Sequence, residues 1–429
     1  MSFLHTVKSE FFIAFRYLFG RSNKGERYLL AAAAGIALSL IPIMVTLIVT
    51  DGMIQGITER FLELGTGHIQ VRPSRNASAM GFKSEDAEFV VKKRDGVRGV
   101  WKEIDGVGII LGLHGKTGTG IRAIDPSFWE DEGSRKYLDV IAGEGAIKND
   151  NDVLLGSSLA KKAGAEIAKT IRIMTLRTNE DGKTIPHAEL FYVRGIISSG
   201  YHEIDANCCV ISYNAGKKFL DPEYSDSYLV VKIDDPYLHA EQITQNINKD
   251  LRDYFRARTW QQVKPAQYSS YETTRQILLF IMALIVLIAA VNVSSATSML
   301  VIERERDIAV LKTCGLSPAG ISAVFLLGSF LTGLSGAVLG ITLGLLCGIH
   351  INQIIHGIES VINIFTEILN AGSVRLLDPE YYLQSIPIII DWKTVFIIVI
   401  FTVICSITAS AFPSFRAGRM KPVELLRKY

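Results

Sequence analysis

Long apolar stretches alternate with charged segments along this chain of 429 residues. Four stretches, 28–50, 276–300, 318–351 and 392–412, can cross a bilayer, since a helix needs about 20 apolar residues to span the hydrocarbon core. Pro42 lies inside the first stretch, where we expect a kink rather than a helix end. A cleaved signal peptide is disfavoured because the apolar run is long and no small-x-small pattern follows it. The pattern predicts an α-helical membrane protein with four transmembrane helices.

Segment 51–275, between the first two spans, has the composition of a soluble domain. Runs rich in β-branched and aromatic residues predict strands at 67–73, 170–176, 189–197, 207–213 and 227–233. Periodicity predicts helices at 152–166 and 235–255. Segment 177–188 is a polar connection between two strands, with Asp181-Gly182 as its turn, and it is long enough to project. The expected fold class is therefore four transmembrane helices with a large α+β domain inserted between the first and the second.

Basic residues near the ends of the spans predict the orientation in the membrane. They concentrate in the three segments that we expect in the cytoplasm, 1–27, 301–317 and 413–429. The charged residues of the 352–391 connection are mostly acidic, so we expect this connection and the 51–275 domain on the outer, periplasmic side. Residues 3–19 mix apolar and basic side chains, which predicts a helix lying in the cytoplasmic interface.

Composition is consistent with this division of the chain. Hydrophobic residues make up 48% and charged residues 21%, and the mean hydropathy is +0.26, which a mixture of lipid-like and water-like segments explains. The formal net charge of +2 gives no reason to expect a nucleic-acid partner. Of the five cysteines, Cys208 and Cys209 are neighbours and none has metal-ligand spacing, so we expect small buried hydrophobic side chains.

No motif in the chain predicts an enzyme. The sequence GLHGKTGTG at 112–120 contains Gly115-Lys116-Thr117, but Ile110 stands where a phosphate-binding loop requires a glycine. A glycine-rich hairpin is the expected structure there. We find no Ser/His/Asp order, metal-type histidine spacing or paired carboxylates. We therefore expect no catalytic residues, no bound metal and no ATPase motif of its own.

Small residues recur every four positions along the third apolar stretch. They are Gly328, Thr332, Gly336, Gly340, Gly344 and Gly348. A stripe of this kind lets two helices approach closely in lipid. It predicts a helix-packing surface, whose partner is another span of this chain or a second subunit.

The link ERERDIAVLKTCGLSP, residues 303–318, carries mixed charges between two apolar stretches. Gly315 is placed for a helix C-terminal cap, and Ser317-Pro318 fits the start of a new helix. We therefore expect the second span to run on to Gly315. The positive-inside tendency concerns only Lys and Arg and does not explain the acidic residues in the link. These acidic residues therefore favour a docking surface over a plain loop.

The link and the segment after it, VIERERDIAVLKTCGLSPAGISAVFLLGSFLTGLSGAVLG, resemble the FtsX-like ABC transporter permeases, as does the tail AFPSFRAGRMKPVELLRKY. The segments FRYLFGRS, VTDGMIQGITERF and DVLLGSSLAKKAGAEIAKTIRIMTL are similar to the lipoprotein-releasing LolC/LolE permeases. The resemblance implies a permease that pairs with a second permease, identical or related, and with two copies of a cytoplasmic ABC ATP-binding subunit. That subunit would bind ATP and Mg, and this chain would bind no cofactor.

The resemblance also implies a function and residue roles. Such permeases contact membrane lipids, extract lipoproteins from the inner membrane and pass them to a periplasmic carrier chaperone. The coupling residues would be Glu303, Arg304, Arg306, Asp307, Ile308, Leu311, Lys312 and Gly315. The acyl-chain pocket would be lined by Met44, Leu47, Ile48, Met53, Ile277, Leu278, Ile281 and Met282. The hook that binds the carrier would comprise Arg177, Asp181, Gly182, Lys183 and Pro186.

Alternative functions stay open at this point. One is an FtsX-like signal transducer that activates a periplasmic partner, although outer domains of that type are shorter. Another is a MacB-like efflux permease, although these carry their ATPase on the same chain. A LolC-type role, a LolE-type role and a combination of both are not separated by the residues, nor are homodimeric and heterodimeric assembly.

Overall fold

A computed structural model describes residues 24–74, 84–179, 181–251, 254–368 and 386–421. The interfacial helix predicted at 3–19 lies outside these residues, as does the tail beyond Lys421. In chain order the helices are α1 (Lys24–Arg60), α2 (Ser84–Lys92), α3 (Glu132–Tyr137), α4 (Ser157–Ala163), α5 (His202–Ala206), α6 (Tyr213–Phe219), α7 (Ala240–Leu251), α8 (Trp260–Val263), α9 (Pro265–Glu303), α10 (Glu305–Thr313), α11 (Pro318–Ile349), α12 (Ile351–Ile368) and α13 (Trp392–Arg419). The strands are β1 (Ile69–Pro73), β2 (Val97–Gly112), β3 (Gly115–Ile124), β4 (Asp139–Gly143), β5 (Asp152–Gly156), β6 (Thr170–Thr178), β7 (Thr184–Ser198), β8 (Cys209–Ser212), β9 (Ser225–Ile233) and β10 (Phe255–Thr259).

The chain forms two compact units. The helical unit comprises the residues up to Gly52, Glu272–Ile364 and the residues from Ile386 onward. The other unit, Met53–Tyr271 together with Phe365–Ser385, contains the β-sheet. Among the described residues, four helices are long and apolar enough to cross a membrane: α1 with its continuation to Thr66, α9, α11 and α13.

The helical unit is held together by close contacts between apolar and small side chains. Its core includes Ile36, Leu40 and Met44 of α1, with Val286 of α9 and Ile398 of α13. Helix α1 passes through Pro42 without ending, which agrees with the expectation from the sequence. It also continues for ten residues beyond position 50, where the apolar stretch ends.

The second unit is built on one mixed ten-stranded sheet. Its strand order is β10-β1-β9-β2-β3-β8-β5-β7-β4, and β6 pairs with both β2 and β7. The pairs β3–β8 and β5–β7 are parallel, and the other pairs are antiparallel. The hairpin predicted from GLHGKTGTG is confirmed, since β2 and β3 pair from Gly112↔Gly115 outward and Gly115 adopts φ +125°.

Two helices expected from the sequence are shorter in the structure. The predicted helix 152–166 begins as strand β5, and only Ser157–Ala163 is helical. All five residues of β5 are buried between β7 and β8, so burial on both faces overrides the local helical pattern. Of the predicted helix 235–255, the described residues are helical over Ala240–Leu251, and the helix begins five residues later than expected.

A π-helical segment, Phe61–Thr66, follows α1 and is held by buried cations of the sheet. Arg122 donates to the carbonyl oxygens of Leu64 and Gly65, and Lys232 pairs with Glu63 at 3.0 Å. Lys232 is fully buried, so its charged ammonium group requires the paired carboxylate of Glu63 for stability. The last turns of α1 and this segment therefore belong to the packing of the sheet unit.

Candidate functional site

The charged link forms a short helix of its own between two membrane-type helices. Helix α9 ends at Glu303, Arg304 adopts φ −99° and ψ 17°, and α10 follows. At the end of α10 the N–H groups of Gly315 and Leu316 donate to the carbonyls of Lys312 and Leu311, each at 3.0 Å. These two bonds are the Schellman pattern, which needs the left-handed backbone that Gly315 adopts at φ +95°.

The start of the next helix follows the sequence prediction as well. Ser317 Oγ accepts a hydrogen bond from the Gly320 N–H at 3.0 Å, and Pro318 occupies the first turn, where its missing N–H costs nothing. The predicted cap at Gly315 and restart at Pro318 are confirmed.

One face of α10 is buried by the helical unit itself. Ile308 is 1% exposed and packs in a cluster that includes Leu29, Leu300 and Phe325. Its neighbour Ala309 is fully buried. The sequence analysis assigned Ile308 to the docking surface, and this assignment is wrong because the side chain anchors α10 to the other helices of the chain.

Three charged residues of the link form hydrogen bonds or ion pairs within the chain. Lys312 Nζ donates to the carbonyl of Gly418 at 2.7 Å and to that of Met420, so it fixes α10 to the end of α13. Burial lowers the pKa of Lys312. Arg304 pairs with Asp307 at 3.0 Å. Lys312 is thus a positioning residue rather than part of a free surface, which corrects its predicted role.

A small outward face remains on the link. We define it as Glu303, Arg306 and Val310, which are all exposed; Val310 has 49% of its surface exposed. The face places an acidic and a basic group beside an apolar side chain. Such a combination suits a protein partner with complementary charge, because it offers both directional pairing and apolar burial.

The glycine stripe of α11 packs against α1 of the same chain. A Cβ built on Gly336 would lie 2.7 Å from the Ala33 carbonyl oxygen, and one on Gly340 would lie 2.8 Å from Ala37 Cα. Gly344 and Gly348 meet Met44 and Ile48 in the same way. The structure therefore answers the question that the sequence left open, since four of the five glycines meet another helix of this chain. In the part of the chain that the structure describes, no atom of another helix lies within 4 Å of a Cβ built on Gly328.

A second small-residue stripe lies on α13, and the sequence analysis missed it. Thr402, Ser406, Ser410 and Ser414 are buried and recur every four residues. A Cβ built on Gly333 of α11 would lie 2.8 Å from Ser406 Cβ. The same four-residue spacing that revealed the glycines could have revealed these residues.

The predicted acyl-chain pocket divides into buried and exposed residues. Met44 and Ile48 are fully buried, Leu47 is 4% exposed and Met282 is 7% exposed. Met44 and Ile48 pack against Gly344 and Gly348 of the glycine stripe, and Leu47 and Met282 belong to the core of the helical unit. Ile277 and Ile281 are exposed, whereas Leu278 and Met53 are half-buried. Four of the eight residues predicted to line the acyl-chain pocket are therefore buried within the helical unit, and the exposed part of α9 also includes Phe280 and Ile288.

An ion cluster at one end of the helical unit was also missed. Arg275 of α9 approaches Asp51 of α1 at 3.2 Å and Asp391, which caps α13, at 3.0 Å. Asp391 also accepts a hydrogen bond from Thr394 Oγ1 at 2.7 Å. One guanidinium therefore connects three helices at residues that directly flank their apolar stretches. Single charges bordering three separate apolar stretches were the available signal, but nothing local indicated that they meet.

The predicted hook is the tip of a β-hairpin. Strands β6 and β7 pair up to Thr178↔Thr184, so most of 177–188 is paired strand rather than a long connection. The remaining turn closes with the Asn179 N–H donating to the Lys183 carbonyl at 2.9 Å and Gly182 at φ +71°. The hook residues are all exposed: Arg177, Asp181, Gly182, Lys183 and Pro186.

Among the described residues, no group of three or more His, Cys, Asp or Glu side chains could hold a metal ion. The five cysteines are free, and burial raises the pKa of the Cys208 thiol to about 12.

Comparison with known families agrees with this division into two parts. Residues 29–249 match the model of the MacB-like periplasmic core domain, and residues 279–422 match the FtsX-like permease C-terminal model. The first match covers more than half of the chain. The chain therefore belongs to the family of FtsX-like permeases with a MacB-like periplasmic core domain, and the resemblance noted in the sequence is confirmed.

Individual relatives are similar over almost their full length. The lipoprotein-releasing system transmembrane protein LolC of Neisseria meningitidis serogroup B is 25% identical, covering 97% of this chain and 99% of its own length. LolE of Haemophilus influenzae is 21% identical, covering 99% of this chain and 100% of its own. The solved periplasmic region of MacB from Actinobacillus actinomycetemcomitans shows 15% identity and a TM-score of 0.31, over 48% of this chain and 94% of that one. That score is too low to support a conclusion.

Proposed function

We propose that this chain is the permease subunit of an ABC transporter that extracts lipoproteins from the inner membrane and passes them to a periplasmic carrier. ATP would be hydrolysed by a separate cytoplasmic subunit present in two copies, and a second permease, identical or related, would complete the transporter. The observation that carries the proposal is the similarity to LolC and LolE, which extends over both units rather than over one domain.

The link supports the mechanical part of this proposal. Its outward face, Glu303, Arg306 and Val310, is available to an ATP-binding subunit in the cytoplasm, while Ile308 and Lys312 tie α10 to the rest of the helical unit. A push on the outward face is therefore carried to α1, α9 and α13 through packed side chains. Helix α1 is continuous up to Arg60, so its residues belong to both units.

The exposed apolar face of α9 supports a role in cargo handling. Ile277, Phe280, Ile281 and Ile288 are between 45% and 66% exposed, so they can contact an acyl chain or a second permease. Each methylene removed from lipid costs about 0.8 kcal/mol, so a triacylated lipoprotein needs both apolar shelter and mechanical work to leave the membrane. The hairpin tip around Asp181 is the part that we propose to bind the carrier.

The ATPase contact can be tested by site-specific crosslinking with a buried control. Cysteines replace Arg306 and Val310 on the outward face, and Ala309 on the buried face, in a chain in which Cys314 is Ser. The full-length protein is purified from membranes of its own cells after treatment with a bifunctional thiol-to-amine reagent. We expect R306C and V310C, but not A309C, to crosslink to an ATP-binding subunit. Equal yields at all three positions would contradict the assigned face, and the absence of any such subunit would contradict an ABC permease.

Release itself distinguishes the proposal from its alternatives. The purified complex is reconstituted into proteoliposomes with a triacylated lipoprotein, and ATP and soluble carrier are added. We expect lipoprotein in the soluble fraction only when ATP and carrier are both present. The variants E303K and R306E should release no lipoprotein, although they insert into the membrane as well as the parent protein does. ATP-dependent export of a small amphiphile without lipoprotein release would favour a MacB-like efflux permease. The match to a MacB-like periplasmic core domain is the reason to test this alternative. ATP hydrolysis with neither activity would favour an FtsX-like signal transducer.

A further inference from the structure

Helix α12, directly after α11, is amphipathic, and its apolar face has no partner among the residues that the structure describes. The exposed apolar side chains on this face are Ile354 at 38%, Ile358 at 47%, Val361 at 54% and Ile364 at 59%. Their spacing of three and four residues puts them on one side of the helix. The opposite side carries Asn352, Gln353, His356, Glu359, Ser360 and Asn363. The sequence analysis treated this segment as a plain connection and did not identify the helix.

The start of α12 is fixed to the helical unit. Only His350, with φ −98° and ψ 15°, separates it from the end of α11 at Ile349. The Asn352 amide then donates to the Ile386 carbonyl at 3.0 Å and accepts from the Ile386 N–H at 3.1 Å. The position of the helix start is thus set by α11 and by the segment that leads into α13.

This start lies where the apolar stretches of the helices end. The ion cluster of Arg275, Asp51 and Asp391 borders the apolar stretches of α9, α1 and α13, and Trp392, which is 57% exposed, begins α13. Charged residues and exposed tryptophan mark the boundary between lipid and water in membrane proteins. Helix α12 therefore begins at this boundary.

The apolar face of α12 continues the exposed apolar surface of α11. Leu343, Leu346 and Ile349, in the last two turns of α11, are 47%, 51% and 44% exposed. This surface faces lipid if α11 spans the membrane. Four half-exposed side chains on α12 also fall well short of the roughly 800 Å² that each partner buries in a stable protein interface. Continuity and size both favour lipid over a second copy as the occupant.

We propose that α12 lies in the headgroup region of the outer leaflet, with Ile354, Ile358, Val361 and Ile364 directed toward the acyl chains. Helices of this type bury their apolar face about 5–10 Å into the boundary between headgroups and acyl chains. Segment 351–368 contains no Lys or Arg, so apolar burial holds the helix and anionic lipid does not contribute. The proposal does not depend on which cargo the permease carries.

The test places a fluorophore on each face of α12 in the full-length protein. Single cysteines replace Ile358 and Val361 on the apolar face and His356 and Ser360 on the polar face. The background has Cys314→Ser and Cys347→Ala, because the other three native cysteines are buried. The parent without an added cysteine gives the residual labelling. Each protein carries an environment-sensitive nitrobenzoxadiazole label in vesicles of phosphatidylethanolamine and phosphatidylglycerol, with or without brominated acyl chains.

We expect brominated lipid to quench the labels at 358 and 361 several-fold more than those at 356 and 360, and aqueous iodide to show the reverse order. Replacing phosphatidylglycerol by phosphatidylcholine should leave both results unchanged. Iodide access at 358 and 361 would overturn the proposal, because the helix would then stand in water. Protection of these labels from both quenchers, with crosslinks between two copies, would overturn it in favour of a protein interface.

Discussion

Replacing Gly340 by alanine tests the packing between α11 and α1. A Cβ at this position would lie 2.8 Å from both Ala37 Cα and the Ala37 carbonyl oxygen, and 2.9 Å from Leu40 Cβ. Two of these three atoms are backbone, so the added methyl group cannot be accommodated by a side-chain rotation and the helices must separate locally. Overpacking of this kind costs about 1–3 kcal/mol.

Gly328 provides a matched control on the same helix. It belongs to the same four-residue stripe and is buried, but among the described residues no atom of another helix would lie within 4 Å of a Cβ there. Alanine is favoured over glycine in a helix by about 1 kcal/mol at either site, so the propensity term cancels when the two variants are compared. We expect G328A to be about 1–3 kcal/mol more stable than G340A, and at least as stable as the parent.

The measurement is reversible unfolding of the full-length protein in dodecyl maltoside, titrated with sodium dodecyl sulfate and followed by far-ultraviolet circular dichroism. A near-ultraviolet signal from the sheet unit shows whether that unit stays folded. If G340A and G328A unfolded at the same detergent fraction, α11 and α1 would not approach as closely as the structure places them. The reasoning from the glycine stripe would then be refuted.

Further predictions concern single contacts of both units. S317A should destabilise the helical unit by about 1 kcal/mol in the same titration, since it removes the cap of α11, and an unchanged midpoint would contradict the cap. R275M should lower the free energy of unfolding by about 1–3 kcal/mol, because it leaves the half-buried Asp51 carboxylate without its cation. Adding D51N to the same chain should recover part of this loss. If the effects of R275M and D51N were strictly additive, the two side chains would not interact. Maleimide should label exposed Cys314 in the native protein within minutes, whereas Cys208, whose pKa burial raises to about 12, should react only after unfolding. Rapid labelling of both would contradict the buried position of Cys208, which directly precedes β8.

Local patterns were sufficient for several features of this protein. Length and apolarity located the four membrane-type helices, because spanning a bilayer requires little beyond a sufficient apolar run. The cap at Gly315, the start at Pro318 and the hairpin at Gly112–Gly115 were also predictable. Each of them depends on backbone geometry and hydrogen bonds within a few residues, and glycine, proline and serine supply these wherever they occur.

Contacts between distant segments were decided only by the tertiary structure. The sequence predicts that Ile308 belongs to a docking surface and that small residues form a stripe on α11. It does not indicate that Ile308 is buried in a cluster with Leu29 or that the stripe receives Met44. For the same reason the strand at Asp152–Gly156 was mistaken for helix, because its neighbours β7 and β8 come later in the chain. A sequence specifies which faces are apolar or small, whereas the partner of each face is selected by packing among all the elements at once.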